Sequence, residues 1–290
     1  MKFSKYGNKI DNPKDTIPPL DFAKSDVFCT LNILLRKLKA EKPGIYQSFK
    51  EKVTEALNKE IQQDYFENHQ DRIDDLLTQY DYLKEESEFV RLHLSFQLQT
   101  LQISVEELFE NQKTAFPTTN FIPSSFGLFF FQVTALIELL GREQGLKFFQ
   151  EFIDAYNIEI NAIYQKDRFT DLQEFRTRHT KWIQKNPYGR FQILSYVEND
   201  QLINLHINCE KYNSMIQTKF GQDKEILFTI MCYMHKPLAR VWNENIRLEL
   251  NKSLALGDNF CSYIYHDVRN ESGIKQFSDE YLEKVWEEHK

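Results

Sequence analysis

The feature that most constrains this chain is a change of hydrophobic period. Up to about residue 186 apolar residues recur at spacings of three and four, and after Asn186-Pro187-Tyr188-Gly189 they recur at every second residue. A period of about 3.6 lines up side chains on one stripe of a helix, whereas alternation lines them up on one face of a strand, so the chain builds two kinds of core. Turn formers are scarce: 9 Gly and 8 Pro in 290 residues are too few for sandwiches, propellers or Gly-rich phosphate loops. The expected fold class is α+β, a largely helical N-terminal half followed by an antiparallel ββαββ C-terminal unit.

Residues 1–25, with Pro13, Pro18 and Pro19 among charges, read as an extended lead-in to a helical region over 26–186. Val27, Leu31, Leu34, Leu35 and Leu38 keep helical spacing, Pro43-Gly44 interrupts it, and Ile45, Phe49, Val53, Ala56, Leu57 and Ile61 resume it, which predicts two successive helices. Ser104-Val105-Glu106-Glu107 has capping-box spacing and starts another. Pro123-Ser124-Ser125 opens a helix from Phe126 to Leu140 that is apolar on nearly every face and ends near Gly141. Its dense apolar part is shorter than the roughly 20 residues of a membrane span, so it is expected at the centre of the helical region, not in a bilayer. Helices over 144–165 and, after Thr170-Asp171-Leu172-Gln173, over 171–184 follow. Between Ile61 and Asn111 twelve carboxylates face three Lys and Arg, a solvated helical surface or a patch for a basic partner.

Beyond the period change, Phe191, Ile193 and Val197, a turn at Glu198-Asn199-Asp200, and Ile203, Leu205, Ile207 and Cys209 form one hairpin. Helical spacing returns from Lys211 to Trp242, interrupted near Gly221 and Pro237. Ile246, Leu248 and Leu250, the turn Gly257-Asp258-Asn259 and Phe260 to Val268 form a second hairpin, which closes an α+β small-molecule-binding unit over 187–270. The segment 271–290 ends in an amphipathic helix with Tyr281, Leu282, Val285 and Trp286.

With 36 Lys and Arg against 43 Asp and Glu, the net charge of -7 disfavours nucleic acid and anionic membranes as partners, since both need a basic surface. No apolar stretch follows the positive charges of Met1 to Lys9, and four widely spaced cysteines do not make a disulfide scaffold, so a cytoplasmic protein with reduced thiols is expected. No dinucleotide, Walker, zinc-protease, nucleophile-elbow or EF-hand pattern is present, and no cofactor is called for.

Three of the cysteines fall between 206 and 266, where a site is sought. Cys232 and His235 lie three apart on one predicted helical face, an arrangement that activates a thiolate or simply packs on the sheet. Cys261 and His266 add zinc-like residue types, but their odd separation in a strand sends them to opposite faces, so no metal is expected. Cys209 falls on the apolar face of its strand and His206 on the polar face. Asp258 is ordinary turn chemistry unless its nearness to Cys261 makes it a base or an anchor.

The run Cys232-Tyr233-Met234-His235, then Trp242, Asn243 and Asn245, then Leu254-Ala255-Leu256-Gly257-Asp258-Asn259-Phe260-Cys261-Ser262-Tyr263 resembles the C-terminal signature of the L-2-amino-thiazoline-4-carboxylic acid hydrolase family, over about 140–268. That family pairs a helix cysteine with a late Gly-Asp-x-x-Cys strand entry, and Cys209 holds a comparable upstream place. The resemblance implies a small amino-acid-like heterocycle as substrate, hydrolytic opening of a thiazoline ring, Cys232, Cys261, Asp258 and His235 as catalytic candidates, and Cys209, Asn245 and His266 as substrate contacts. One departure is His235, where the family commonly has an acid. The competing reading is a noncatalytic small-molecule-binding or sensory domain, similar to vinyl-reductase-like ligand domains; a third is a helical interaction protein. The helical half is open to use as a lid, a homo-oligomer surface or further core.

Overall fold

The computed structural model describes residues 3–7, 12–163, 168–185, 191–198, 201–269 and 277–289. The expected boundary at Asn186 to Gly189 and the turn residues Asn199 and Asp200 lie outside them. The chain has an α+β fold in two compact units, Lys14–Tyr156 and the pair of segments Met1–Pro13 and Asn157–Lys290. The division falls within the helix Arg142–Ile163, ahead of the change in period.

The Lys14–Tyr156 unit is helical, with Thr30–Glu41 and Tyr46–Asn58 where two successive helices are expected. The capping box is present: Ser104 Oγ accepts from the Glu107 amide at 3.1 Å and the Glu107 carboxylate accepts from the Ser104 amide at 2.8 Å. The apolar helix runs over Thr118–Leu140, so it starts before Pro123 and holds that proline inside it. Thr118 opens it with its hydroxyl donating to the buried Asp15 at 2.9 Å. By length and composition this helix is long and apolar enough to cross a membrane, and 67% of its most apolar stretch is buried here. Phe129 packs on Phe149 and Phe152 with ring centroids 5.6 and 6.3 Å away, the centre that the apolar pattern predicts.

Residues 1–25 are not merely an extended lead-in. Ser4–Tyr6 is a strand, β1; Lys14–Ile17, β2, pairs with Thr114–Pro117, β3; and Pro19–Ala23 begins the helices. The remaining strands are β4, Phe191–Glu198; β5, Gln201–Cys209; β6, Ile246–Leu250; and β7, Cys261–Asp267. Their order is β1-β4-β5-β7-β6, every neighbour antiparallel, so both expected hairpins form and β1 adds an edge. The edge is held because Phe3 is buried against Tyr196, ring centroids 5.3 Å apart.

Five helices serve this sheet: α1, Leu172–Lys185; α2, Glu210–Ile216; α3, Lys224–Met231; α4, His235–Trp242; and α5, Asp279–His289. Alternation gives the sheet two apolar faces. Leu202, Leu248, Cys261, Tyr263 and Tyr265 face Phe175 of α1 and Ala239 of α4, while Leu194, Ile203, Leu205 and Ile264 face Leu282 and Val285 of α5. The single helical stretch expected over 211–242 is three helices. Gly221 is one cause, because a Cβ there would stand 2.5 Å from the Met215 carbonyl oxygen where the chain doubles back. Pro237 is the other: lacking an N–H and clashing with the fourth carbonyl before it, it sits only in the first turn of a new helix, α4.

Candidate functional site

The first face of the sheet encloses a cavity of about 400 Å³. One wall is α1. Asp171 caps it, Oδ1 accepting from the Glu174 amide at 2.8 Å while the Glu174 carboxylate accepts from the Thr170 amide and hydroxyl, one residue later than the box read from Thr170 and Gln173. Spacings of four and three then put Phe175, His179 and Trp182 on one stripe. Their rings stack at 5.5 and 6.0 Å with interplanar angles of 14° and 13°. Phe169 and Trp242 extend this aromatic wall, 4.6 and 5.3 Å from Phe175, and Trp182, 49% exposed, stands at the mouth.

The floor comes from β5 and β7. Regular alternation groups Cys209 with Ile203, Leu205 and Ile207, away from His206. In the structure Gln192 of β4 faces Asn208 but Ile193 faces His206, so Ile207 is passed over in the register. This bulge reverses the alternation beyond it and brings Cys209 into the cavity beside His206. Tyr263 lies between imidazoles, its ring 4.2 Å from that of His206 and 5.1 Å from that of His235.

Cys232 and His235 do not share one continuous helix: Cys232 caps α3 and His235 opens α4, and the turn between them sends both into the cavity. Cys261 enters from the start of β7. The Ser253 hydroxyl donates to Cys232 Sγ at 3.7 Å, and the Leu254 amide donates to Cys261 Sγ at 3.3 Å. Of the residues singled out in the sequence, the structure brings Cys209, Cys232, His235 and Cys261 to one place. Three further candidates stand outside the lining. Asp258 accepts from the Ser253 amide at 2.8 Å and so holds the loop that touches both thiols. Asn245 precedes β6, its amide donating to Asn243 Oδ1 at 2.9 Å. His266 is on the opposite sheet face from Cys261, with Nδ1 3.3 Å from Gln201 Nε2 and Nε2 3.4 Å from Glu249 Oε1, as the odd spacing requires.

Burial decides the charge state of the site. It pushes the Cys232 thiol far up, reinforced by Cys261 and Cys209, pushes Cys261 up to about 12, and raises Cys209 as well. It pushes His179 down to about 4 and His235 to about 3, and it holds His206 well below the usual imidazole range, with the neighbouring histidines and Lys211 opposing a further positive charge. At neutral pH the lining presents uncharged thiols, uncharged imidazoles and the Tyr263 phenol, together with the basic side chains of Arg178 and Lys211. Among the described residues no three His, Cys, Asp or Glu side chains are grouped to hold a metal ion. Sequence reasoning missed His179 and Tyr263 and set His206 aside; the Phe175, His179, Trp182 stripe was the available signal for the first. Compared with family models, with curated proteins and with solved structures, the chain matches none.

Proposed function

We propose that the protein binds a small molecule with a flat apolar body in the cavity between α1 and the sheet. The observation that carries this reading is the desolvated, largely aromatic lining: rings on one side, and on the other thiols and imidazoles that burial keeps uncharged, with Arg178 and Lys211 as basic groups beside them. A pocket of about 400 Å³ with a mostly apolar wall and few convergent polar groups is of the size and kind that takes small ligands.

Hydrolysis of a cyclic amidine or thiazoline, the activity implied by the resemblance to the L-2-amino-thiazoline-4-carboxylic acid hydrolase family, is the second reading, and the convergence of Cys232, Cys261 and His235 favours it. Water would add to the amidine carbon while His235 takes its proton, and the ring C–S bond would break with the sulfur leaving as thiolate. Weighing against it, neither cysteine is an activated thiolate and Asp258 is occupied in its loop.

Iodoacetamide labelling of the native protein across pH, mapped by mass spectrometry, separates the two. Binding without thiol catalysis predicts that Cys209, Cys232 and Cys261 all stay unlabelled below about pH 8 until the protein unfolds. Rapid labelling of Cys232 or Cys261 in that range would overturn it in favour of the hydrolase, as would release of a new thiol from 2-amino-thiazoline-4-carboxylate.

A further inference from the structure

The cavity differs in charge from the molecule around it. The chain as a whole carries -7, yet of the described residues that line the cavity two are basic, Arg178 and Lys211, and none is acidic. Arg178 stands exposed on α1, one turn before Trp182. It is held there by Glu174, whose carboxylate pairs with its guanidinium, and by the Arg168 carbonyl, to which it donates at 3.0 Å. It is a rim group with a counter-charge of its own. Lys211 is different: it lies in the first turn of α2, directly after β5 has delivered Cys209, and is partly buried. Its charge is felt across the lining, where it opposes protonation of His206 and His235 and eases the ionisation of Cys209 and Cys232 against the larger effect of burial. The adjacent carboxylate, Glu210, is turned to Asn208 and Asn213, accepting at 2.9 and 3.1 Å, and does not line the cavity.

A positive charge on a desolvated wall attracts an anion more strongly than it would in water, and repels a cation more strongly, because little solvent stands between the charges to screen them. An ammonium supplies donors only, so its complement is a group that only accepts, as a carboxylate does. The rest of the lining fixes the body of the ligand: Phe175, His179 and Trp182 lie nearly parallel and form a flat aromatic wall. Resting on the reading that this cavity binds a small molecule, we propose that its ligand is an aromatic carboxylate, with the ring system along Phe175, His179 and Trp182 and the carboxylate accepting from the Lys211 ammonium. Arg178 adds positive potential at the mouth, which draws anions toward the entrance, while Glu174 engages its guanidinium. An aromatic amine of the same shape meets Lys211 with like charge, and an uncharged analogue forfeits the charge-assisted bond.

Three probes of one shape test the assignment on the full chain by titration calorimetry at neutral pH: 2-naphthoate, an anion; 2-naphthamide, its uncharged counterpart; and 2-naphthylmethylamine, a cation. The expected result is that 2-naphthoate binds at least about tenfold tighter than 2-naphthamide and that the amine binds more weakly than either. In Lys211→Gln the acid and the amide come within about threefold of each other while the amide keeps its affinity, and in Lys211→Arg the preference for the acid is retained. The comparison of probes on the unaltered chain stands even if a variant fails to fold. If the amide or the amine binds as tightly as the acid, or the preference for the acid survives in Lys211→Gln, the carboxylate anchor is overturned while the cavity reading stands. If none of the three binds, both fall.

Discussion

Asp26 shows most directly what burial does to a single residue. It lies in the π-helical turn Lys24–Cys29, a geometry that recurs at functional positions, and although the residue is partly exposed its carboxyl group is enclosed. Ser125 donates to it at 2.5 Å and Gln97 at 3.0 Å, yet desolvation outweighs both bonds and raises its pKa to about 7. The sign follows from linkage: the unfolded carboxyl ionises near its ordinary value while the folded one resists, so stability falls as pH climbs from about 4 to about 7 and is level above. Asp26→Asn should therefore raise the unfolding free energy at pH 8 by on the order of 2 to 4 kcal/mol and change little near pH 4. Urea melts at the two pH values check this, and an equal shift at both would sink it. At this scale Cys232, His235 and Cys261 were legible because rare residue types close in sequence stay close in the fold. His206 was not, because the strand face that reads as polar is covered by α1, whose His179 ring lies 6.5 Å from it, and the bulge that turns Cys209 to the same side leaves no mark on Ile207 itself.

Among the elements, α1 decides whether there is a cavity at all, since Phe175, His179 and Trp182 form its wall. Its start is fixed by Asp171 and Glu174, a shell of side-chain bonds around the first-turn amides. Asp171→Ala should lower stability by about 1 kcal/mol, measured by urea denaturation, and loosen the wall. A loss below a few tenths would mean that tertiary packing alone sets the helix end. Helices and strands were largely legible from period and caps, and the box at Ser104 was read correctly. The boundaries that were misread have local physical reasons: Thr118 starts its helix through Asp15, a partner more than a hundred residues away in sequence, and Pro237 forces its break several residues before itself.

For the molecule as a whole, the strand pairing of β1 is what the sequence hides best. Three residues, Ser4, Lys5 and Tyr6, pair with Ser195, Leu194 and Ile193, and so tie the beginning of the described chain to the sheet of the Asn157–Lys290 segment. No periodicity is long enough to announce a strand of that length. Removing residues 1–6 should speed amide exchange at β4, with the Lys14–Tyr156 unit as an internal reference; unchanged β4 exchange would show that the edge strand adds nothing to the sheet. The pairing also sets a timetable. At about 5–20 residues per second a ribosome needs on the order of 10 to 40 s to travel from β1 to β4. For that interval the strand has nothing to bind, and the sheet unit is closed only after an entire helical unit has emerged in between. Assembly of the cavity floor is thus a late event in the life of the nascent chain, and a pause or a cut before residue 191 leaves β1 without a partner strand.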